Sequence, residues 1–181
     1  MRFNLPVFGV CAQSSGMGKT TLLAQLLPLL GQRGIRVSMI KQAHAGFDLD
    51  RPGKDSYRFR EAGAAQVLLS SPNRWVLMTE QTSGEDDARL LDMVQHLDAG
   101  LADLVLVEGF RHAAIPKLEV FRASSGKTPL ALADKDVLAL ATDTPIALAI
   151  PQFRLEDPLR ISDFILQWLS AQQRADCRQA L

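Results

Sequence analysis

The stretch Ser14-Ser15-Gly16-Met17-Gly18-Lys19-Thr20-Thr21-Leu22 has the residue types of a phosphate cradle. In a GxxxxGK[ST] loop between a strand and a helix, successive backbone N–H groups wrap the phosphates. The helix N-terminus adds positive potential. Here Gly18-Lys19-Thr20 is intact, but Gln13 stands where the first glycine belongs. That glycine mainly helps the chain turn out of the strand, so its loss need not destroy the cradle. Gly16 and Gly18 let the backbone approach a ligand closely. Ser15, Gly16, Met17, Gly18, Lys19, Thr20 and Thr21 are the expected nucleotide contacts. Lys19 would bridge the outer phosphates, and Thr20 would place its hydroxyl on a magnesium ion. A glycine-rich turn that only caps a helix would look similar. The strand, helix and second strand in register around the loop favour the nucleotide site.

A magnesium–triphosphate site needs a carboxylate from a second strand end. Glu108 follows the apolar run of residues 103–107 and precedes Gly109. It is the expected metal-side or water-ordering carboxylate, and with Lys19 the expected catalytic pair. Asp48 and Asp50, after the second strand, could reach the same metal; Asp48 joins Thr20 and Glu108 as an expected ligand. A solvated loop would carry the same acids. His44 lies in that loop and reads more simply as exposed. Lys54, Arg58 and Arg60 could meet a phosphorylated ligand or an acidic partner, or could be a solvated helix face. Guanine specificity normally uses an Asp within NKxD. That motif is absent, and Asp143, at the end of an apolar strand pattern, is the nearest substitute.

These residues need a frame. Residues 5–11 read as a buried strand, 19–31 as a helix and 35–40 as a second strand, giving a βαβ unit with parallel strands. Pro28 should kink or shorten the first helix. Residues 55–64 read as a helix capped by Asp55 or Ser56, and 67–71 with 74–80 as an antiparallel hairpin. Ser83 to Asp86 resembles a capping box opening a helix with Leu90, Met93, Val94 and Leu97 on one face. Residues 103–107 read as a central parallel strand, 117–122 as a more exposed strand, and 137–142 and 146–150 as buried strands. Asp157 and Pro158 open a last helix, and residues from about 171 read as a frayed tail.

The chain has 181 residues, which suits one domain (1–170) followed by a tail (171–181). The formal net charge is zero, which argues against nucleic acid as the main partner. Cys11 and Cys177 form no CxxC pair, so a reducing cytoplasm fits better than a disulfide framework. No apolar run approaches the roughly 18 residues of a membrane helix, and no signal-peptide pattern opens the chain. The fold class is α/β: a single-domain P-loop NTPase with a mostly parallel sheet flanked by helices and an added antiparallel hairpin.

Taken in order, SSGMGKTTL, FDLDRPGKDSYRFREAGA, RWVLMTE, LVLVEGF and PKLEVFR resemble the MobB family of molybdopterin-guanine dinucleotide biosynthesis proteins. The DxDxPGKDSYxxRxAGA block is the most specific part. The resemblance implies a homodimeric phosphate-loop GTPase that binds GTP with magnesium and hydrolyses it slowly. It further implies a partner, the nucleotidyltransferase MobA, which joins GMP to molybdopterin. The segment 48–61 is the candidate molybdopterin contact. Family members also commonly lack the first glycine of the loop. This chain departs in having Lys41-Gln42-Ala43-His44-Ala45 where the family often has a pattern near KHxHH.

Two other functions compete. A small-molecule kinase could use residues 51–60 as a lid, although no catalytic base is evident beyond the candidate carboxylates. A pure adaptor would use the nucleotide only as a conformational ligand. Slow turnover is expected in any case, because no glutamine follows the Glu108-Gly109 turn. Arg111 is the one arginine close enough in sequence to act as a finger. The hairpin of residues 67–80, with Trp75, is expected to join a dimer interface.

Overall fold

Apolar runs at residues 7–11, 104–108 and 137–142 have no polar alternation, so their strands must be covered on both faces. The computed structural model describes residues 3–43, 50–80 and 86–179. The strands are β1 (Val7–Cys11), β2 (Val37–Lys41), β3 (Gln66–Ser71), β4 (Arg74–Thr79), β5 (Leu104–Glu108), β6 (Lys117–Phe121), β7 (Val137–Thr142) and β8 (Gln152–Arg154). The helices are α1 (Lys19–Gln32), α2 (Asp55–Glu61), α3 (Asp86–Gln95) and α4 (Pro158–Gln179). Residues 3–42 and 86–179 pack as one compact unit, and 43–80 as a second.

In the larger unit six strands run in the order β2-β5-β1-β6-β7-β8. Every neighbouring pair is parallel. β1 and β2 are therefore parallel, as the βαβ reading requires, but β5 lies between them. One face of the sheet packs Phe8, Val10, Leu106 and Leu118 against Leu22, Leu26 and Leu30 of α1 and Ile161 and Ile165 of α4. The other face packs Val105 and Val107 against Leu90 and Val94 of α3. Trp168 packs tilted against Phe8, 4.9 Å from centroid to centroid. Asp157 caps α4 by accepting from the Arg160 amide at 3.2 Å, with Pro158 in the first turn. Cys11 is fully buried, and burial pushes its thiol up to about 12. It is an inert core residue.

Several expected elements differ. α1 runs past Pro28, which is exposed, and ends at Gln32. α2 begins at Asp55 with Lys54 at its N-cap. α4 is helical through Gln179 where a frayed tail was expected. Residues 146–150 form no strand. Pro145 and Pro151 bracket them, and the Gln152 side chain replaces a ladder by accepting from the Ile146 amide and donating to the Ile146 and Leu148 carbonyls. The strand expected at 117–122 to be more exposed is β6, which is wholly buried. Its Lys117 donates to the Arg111 and Ala113 carbonyls and to Asp134, while its Glu119 accepts from the Leu130 and Ala131 amides. The residue that would begin the capping box, Ser83, lies outside the described residues.

In the smaller unit β3 and β4 form the expected antiparallel hairpin, with Leu68 opposite Leu77 and Ser70 opposite Trp75. Both lie on one face, since opposed residues share a face and successive residues alternate.

Candidate functional site

Because all six strands are parallel, their carboxyl ends share one edge of the sheet. Ligands of open parallel sheets bind at that edge, where the strand order switches direction. Here the chain leaves β1 for β2 on one side, and the later connection from β5 leads to β6 on the other. Five features line up along the edge in strand order: Lys41 ending β2, Glu108 ending β5, the loop of residues 12–18 after β1, Arg122 after β6, and Asp143 after β7.

The loop has the geometry its glycines were expected to provide. Gly16 and Gly18 have φ of 76° and 103°, a left-handed backbone that strains other residues. Gly18 is the N-cap of α1 and makes no side-chain capping bond, so the first-turn amides of α1 keep their donors for a ligand. Lys19 folds back over its own loop and donates to the Ser14 carbonyl at 3.1 Å. Ser15, Gly16, Thr20 and Thr21 are exposed, while Met17 is buried and anchors the loop in the core.

Gln13, in the place of the first glycine, is held at both ends. Its side-chain amide donates to the Thr128 carbonyl at 2.9 Å, and its own carbonyl accepts from Arg111 Nη1 at 2.9 Å. It ties the loop to the segment that follows β6. Arg111 also donates from Nε to His112 Nε2. Arg122 grips the other end of the loop, donating from Nε to the Met17 carbonyl at 3.1 Å. Sequence reasoning missed Arg122. Its signal was its position immediately after a parallel strand, hidden because that strand read as more exposed.

Thr20 and Glu108 lie together: the Thr20 hydroxyl donates to Glu108 Oε1 at 2.7 Å. Lys41, also missed, joins them. Its Nζ lies 3.1 Å from Glu108 Oε2 and 3.3 Å from both Glu108 Oε1 and Thr20 Oγ1. The Gln42 side chain accepts from the Phe110 amide at 2.7 Å and the Gln42 amide donates to the Glu108 carbonyl. A residue at the start of the departed histidine pattern thus holds the turn after Glu108. These oxygens fit a hard divalent cation, which takes carboxylate and hydroxyl oxygen, and a lysine ammonium stands against them. Among the described residues no group of three or more His, Cys, Asp or Glu could hold a metal, so phosphate oxygens would have to complete the shell.

Asp143 accepts from the Ala123 amide at 3.1 Å and lies 3.7 Å from Arg122 Nη1. It sits at the sheet edge beyond the loop from Glu108.

The acidic candidates after β2 are different. Asp48 and His44 lie outside the described residues. Asp50 is buried in the smaller unit, accepting from Ser56 Oγ at 2.8 Å and the Arg51 amide at 3.0 Å, with Arg60 Nε at 3.8 Å. It organises the start of α2, so it is a buried, hydrogen-bonded residue and not part of a solvated loop. Arg60 likewise works inside its unit: it pairs with Glu80 at 2.9 Å and lies over the Tyr57 ring. Arg51, Lys54 and Arg58 are exposed.

The MobB family, Molybdopterin guanine dinucleotide synthesis protein B, matches residues 7–143. A molybdopterin-guanine dinucleotide biosynthesis adapter protein of Escherichia coli (strain K12) is 44% identical over 159 residues, 87% of this chain and 90% of that protein. The protein of the same description from Haemophilus influenzae is 42% identical over 169 residues, covering 93% of this chain and 92% of that one. A crystal structure of molybdopterin-guanine biosynthesis protein B superposes with a TM-score of 0.67 at 26% identity, covering 90% of this chain and 99% of the other. The fold of Bacillus subtilis MobB is similar at a TM-score of 0.69 and 24% identity, over 90% of this chain and 97% of that one.

Proposed function

The chain belongs to the MobB family of molybdopterin guanine dinucleotide synthesis proteins, and from that premise we propose that it is a GTP-binding adapter with at most slow GTPase activity. It serves molybdopterin guanine dinucleotide biosynthesis by assisting a MobA-type nucleotidyltransferase in the cytoplasm. The observation that carries the nucleotide reading is the convergence of the Gly16–Thr21 cradle, Lys19 and the Thr20–Glu108 pair at one end of β1 and β5.

The residues divide by place along the sheet edge. The loop amides and Lys19 hold the phosphates. Thr20 and Glu108 hold magnesium, which when bound neutralises charge on the phosphate oxygens. Asp143, with Arg122 beside it, lies on the side left for the base and accepts from the guanine N–H groups. Arg111 and Arg122 bind the carbonyls of Gln13 and Met17, so they brace the loop. With both guanidiniums engaged in this way, slow hydrolysis is the expected outcome. The exposed Arg51, Lys54 and Arg58 suit the anionic phosphate of molybdopterin or an acidic surface on the partner enzyme. The apolar face of the hairpin joins a homodimer.

Calorimetric titration with GTP and ATP, with and without magnesium, tests this reading. Wild-type chain should prefer GTP with magnesium, Lys19→Ala should abolish binding, and Asp143→Ala should erase the preference for GTP over ATP. Unchanged GTP affinity in Lys19→Ala would sink the site assignment.

A further inference from the structure

We infer that Lys41 is a resident counter-cation that bars a bare divalent ion from the Thr20–Glu108 position and yields it only to a metal–nucleoside triphosphate complex. This rests on the nucleotide reading above and adds to it a residue that couples metal entry to phosphate entry.

The geometry begins with strand register. β2 and β5 pair in parallel with Lys41 beside Glu108, so the last residues of the two strands meet at the sheet edge. The two side chains differ in freedom: 10% of the Glu108 side chain is exposed against 57% for Lys41. The carboxylate is therefore fixed in the wall, and a buried carboxylate requires a cation or donors at hand. The ammonium reaches it on a flexible arm from solvent and can leave without disturbing the core.

The hydroxyl of Thr20 sharpens the point. It donates its proton to Glu108 Oε1 at 2.7 Å and accepts from Lys41 Nζ at 3.3 Å. Lys41 therefore sits against all three oxygens that a metal ion would use here, Thr20 Oγ1 and both carboxylate oxygens of Glu108. A divalent ion and an ammonium cannot share these oxygens, because like charges at contact distance repel strongly in a half-buried site. Metal entry thus requires Lys41 to move.

Whether it moves depends on where its charge can go. Among the described residues no cluster of three or more His, Cys, Asp or Glu could bind a metal. Among the described residues a bare ion would find Thr20 and Glu108, and it would strand the lysine in water. A metal–triphosphate complex brings its own oxygen ligands and offers the displaced ammonium a new anion, the outer phosphate held beside Lys19. The exchange conserves ion pairs only when nucleotide and metal arrive together. By linkage, the metal and the nucleotide then strengthen each other's binding.

The test uses the full chain with manganese as the metal probe, read by electron paramagnetic resonance of free ion, and GTP read by calorimetry. Wild-type chain without nucleotide should bind manganese weakly. Lys41→Gln should bind manganese alone about ten-fold more tightly and GTP–magnesium about ten-fold more weakly, within the usual range for coupled sites. Lys41→Arg, which keeps the charge, should exclude manganese as the wild type does. Manganese affinity that is unchanged or weaker in Lys41→Gln, or tight manganese binding in Lys41→Arg, overturns the inference. If wild type binds GTP normally while Lys41→Gln alters neither ligand, the nucleotide reading stands and this inference falls. If Lys41→Gln gains manganese while neither chain binds GTP, the barring role of Lys41 stands and the nucleotide reading falls.

Discussion

Lys117 and Glu119 are charged residues at the centre of a parallel sheet, exposed by 1% and 0%. Each is tolerable there only because its polar atoms are partnered. Burial pushes the Glu119 carboxyl up, against the two amide hydrogen bonds that pull it down. At Asp134 burial also pushes up, but the Lys117 bond and the Asp136 amide outweigh it and the carboxyl is lowered. Lys117 also fixes the backbone of Arg111 and Ala113, and Arg111 holds Gln13 of the phosphate loop. A core lysine therefore supports one side of the site through a chain of hydrogen bonds. Replacing it with an apolar residue of similar shape, Lys117→Met, removes the donor to the Arg111 carbonyl and to Asp134 Oδ2 and leaves the Ala113 carbonyl with the Ile115 amide alone. We expect a loss of about 3 kcal/mol in stability. Urea unfolding should show it as a lower midpoint at an unchanged slope; a midpoint like wild type would mean the three acceptors find water.

At the scale of elements, β2 lies at the edge of the sheet, and its register against β5 is what places Lys41 beside Glu108. The amino ends of the two strands are clamped by Arg36 and Asp103. Arg36 donates to Asp103 Oδ2 from its amide at 2.9 Å and from Nε at 3.0 Å, and to Oδ1 from Nη2 at 2.7 Å. The Arg36 side-chain hydrogen bonds are the main reason that the Asp103 carboxyl is held down at about 2, below its ordinary 3.8. A carboxyl depressed on folding contributes stability above its unfolded value and loses that contribution as pH falls through its folded value. The clamp is thus intact above about pH 4 and lost near pH 2. Asp103→Asn should be less stable than wild type at neutral pH, and the difference should vanish between about pH 4 and pH 2. Thermal melts across that range at low salt would show it. A difference that persists at pH 2 would assign the clamp's effect to packing instead of charge. The same elements show how much the sequence revealed. The phosphate loop and the Thr20–Glu108 pair were legible because one contiguous motif and one apolar strand end encode them. Lys41 and Arg122 were not, because they reach the site through a strand order in which β5 separates β1 from β2 and β6 flanks β1 on the other side. β6 itself read as more exposed because alternation registers the charges of Lys117 and Glu119 but not Asp134 or the amides of residues 130 and 131. Residues 146–150 read as a strand because composition cannot show one glutamine side chain, Gln152, taking the place of a ladder.

At the scale of the whole molecule, an adapter needs outward surfaces as well as a ligand site. The hairpin has two faces. One carries buried Val67 with Leu69, which is 42% exposed. The other presents Leu68, Leu77 and Trp75, which are 58%, 38% and 65% exposed, in cross-strand order. An apolar stripe of this kind is costly to leave in water and is a usual mark of an association surface. A second copy of the chain is the occupant we propose, with its own hairpin face, because a two-fold contact pairs a patch with itself. Trp75 is then the expected energetic centre, since aromatic side chains dominate such interfaces. Wild-type chain should sediment as a dimer at micromolar concentration. Trp75→Glu places a charge opposite its symmetry mate and should weaken association by about 2 kcal/mol or more, roughly 30-fold, giving monomer at the same concentration. Lys54→Glu, which alters an exposed charge outside the stripe, should leave the dimer intact. A wild-type monomer at micromolar concentration, or a Trp75→Glu dimer as tight as wild type, would remove the hairpin from self-association. The stripe would then be free for a different protein.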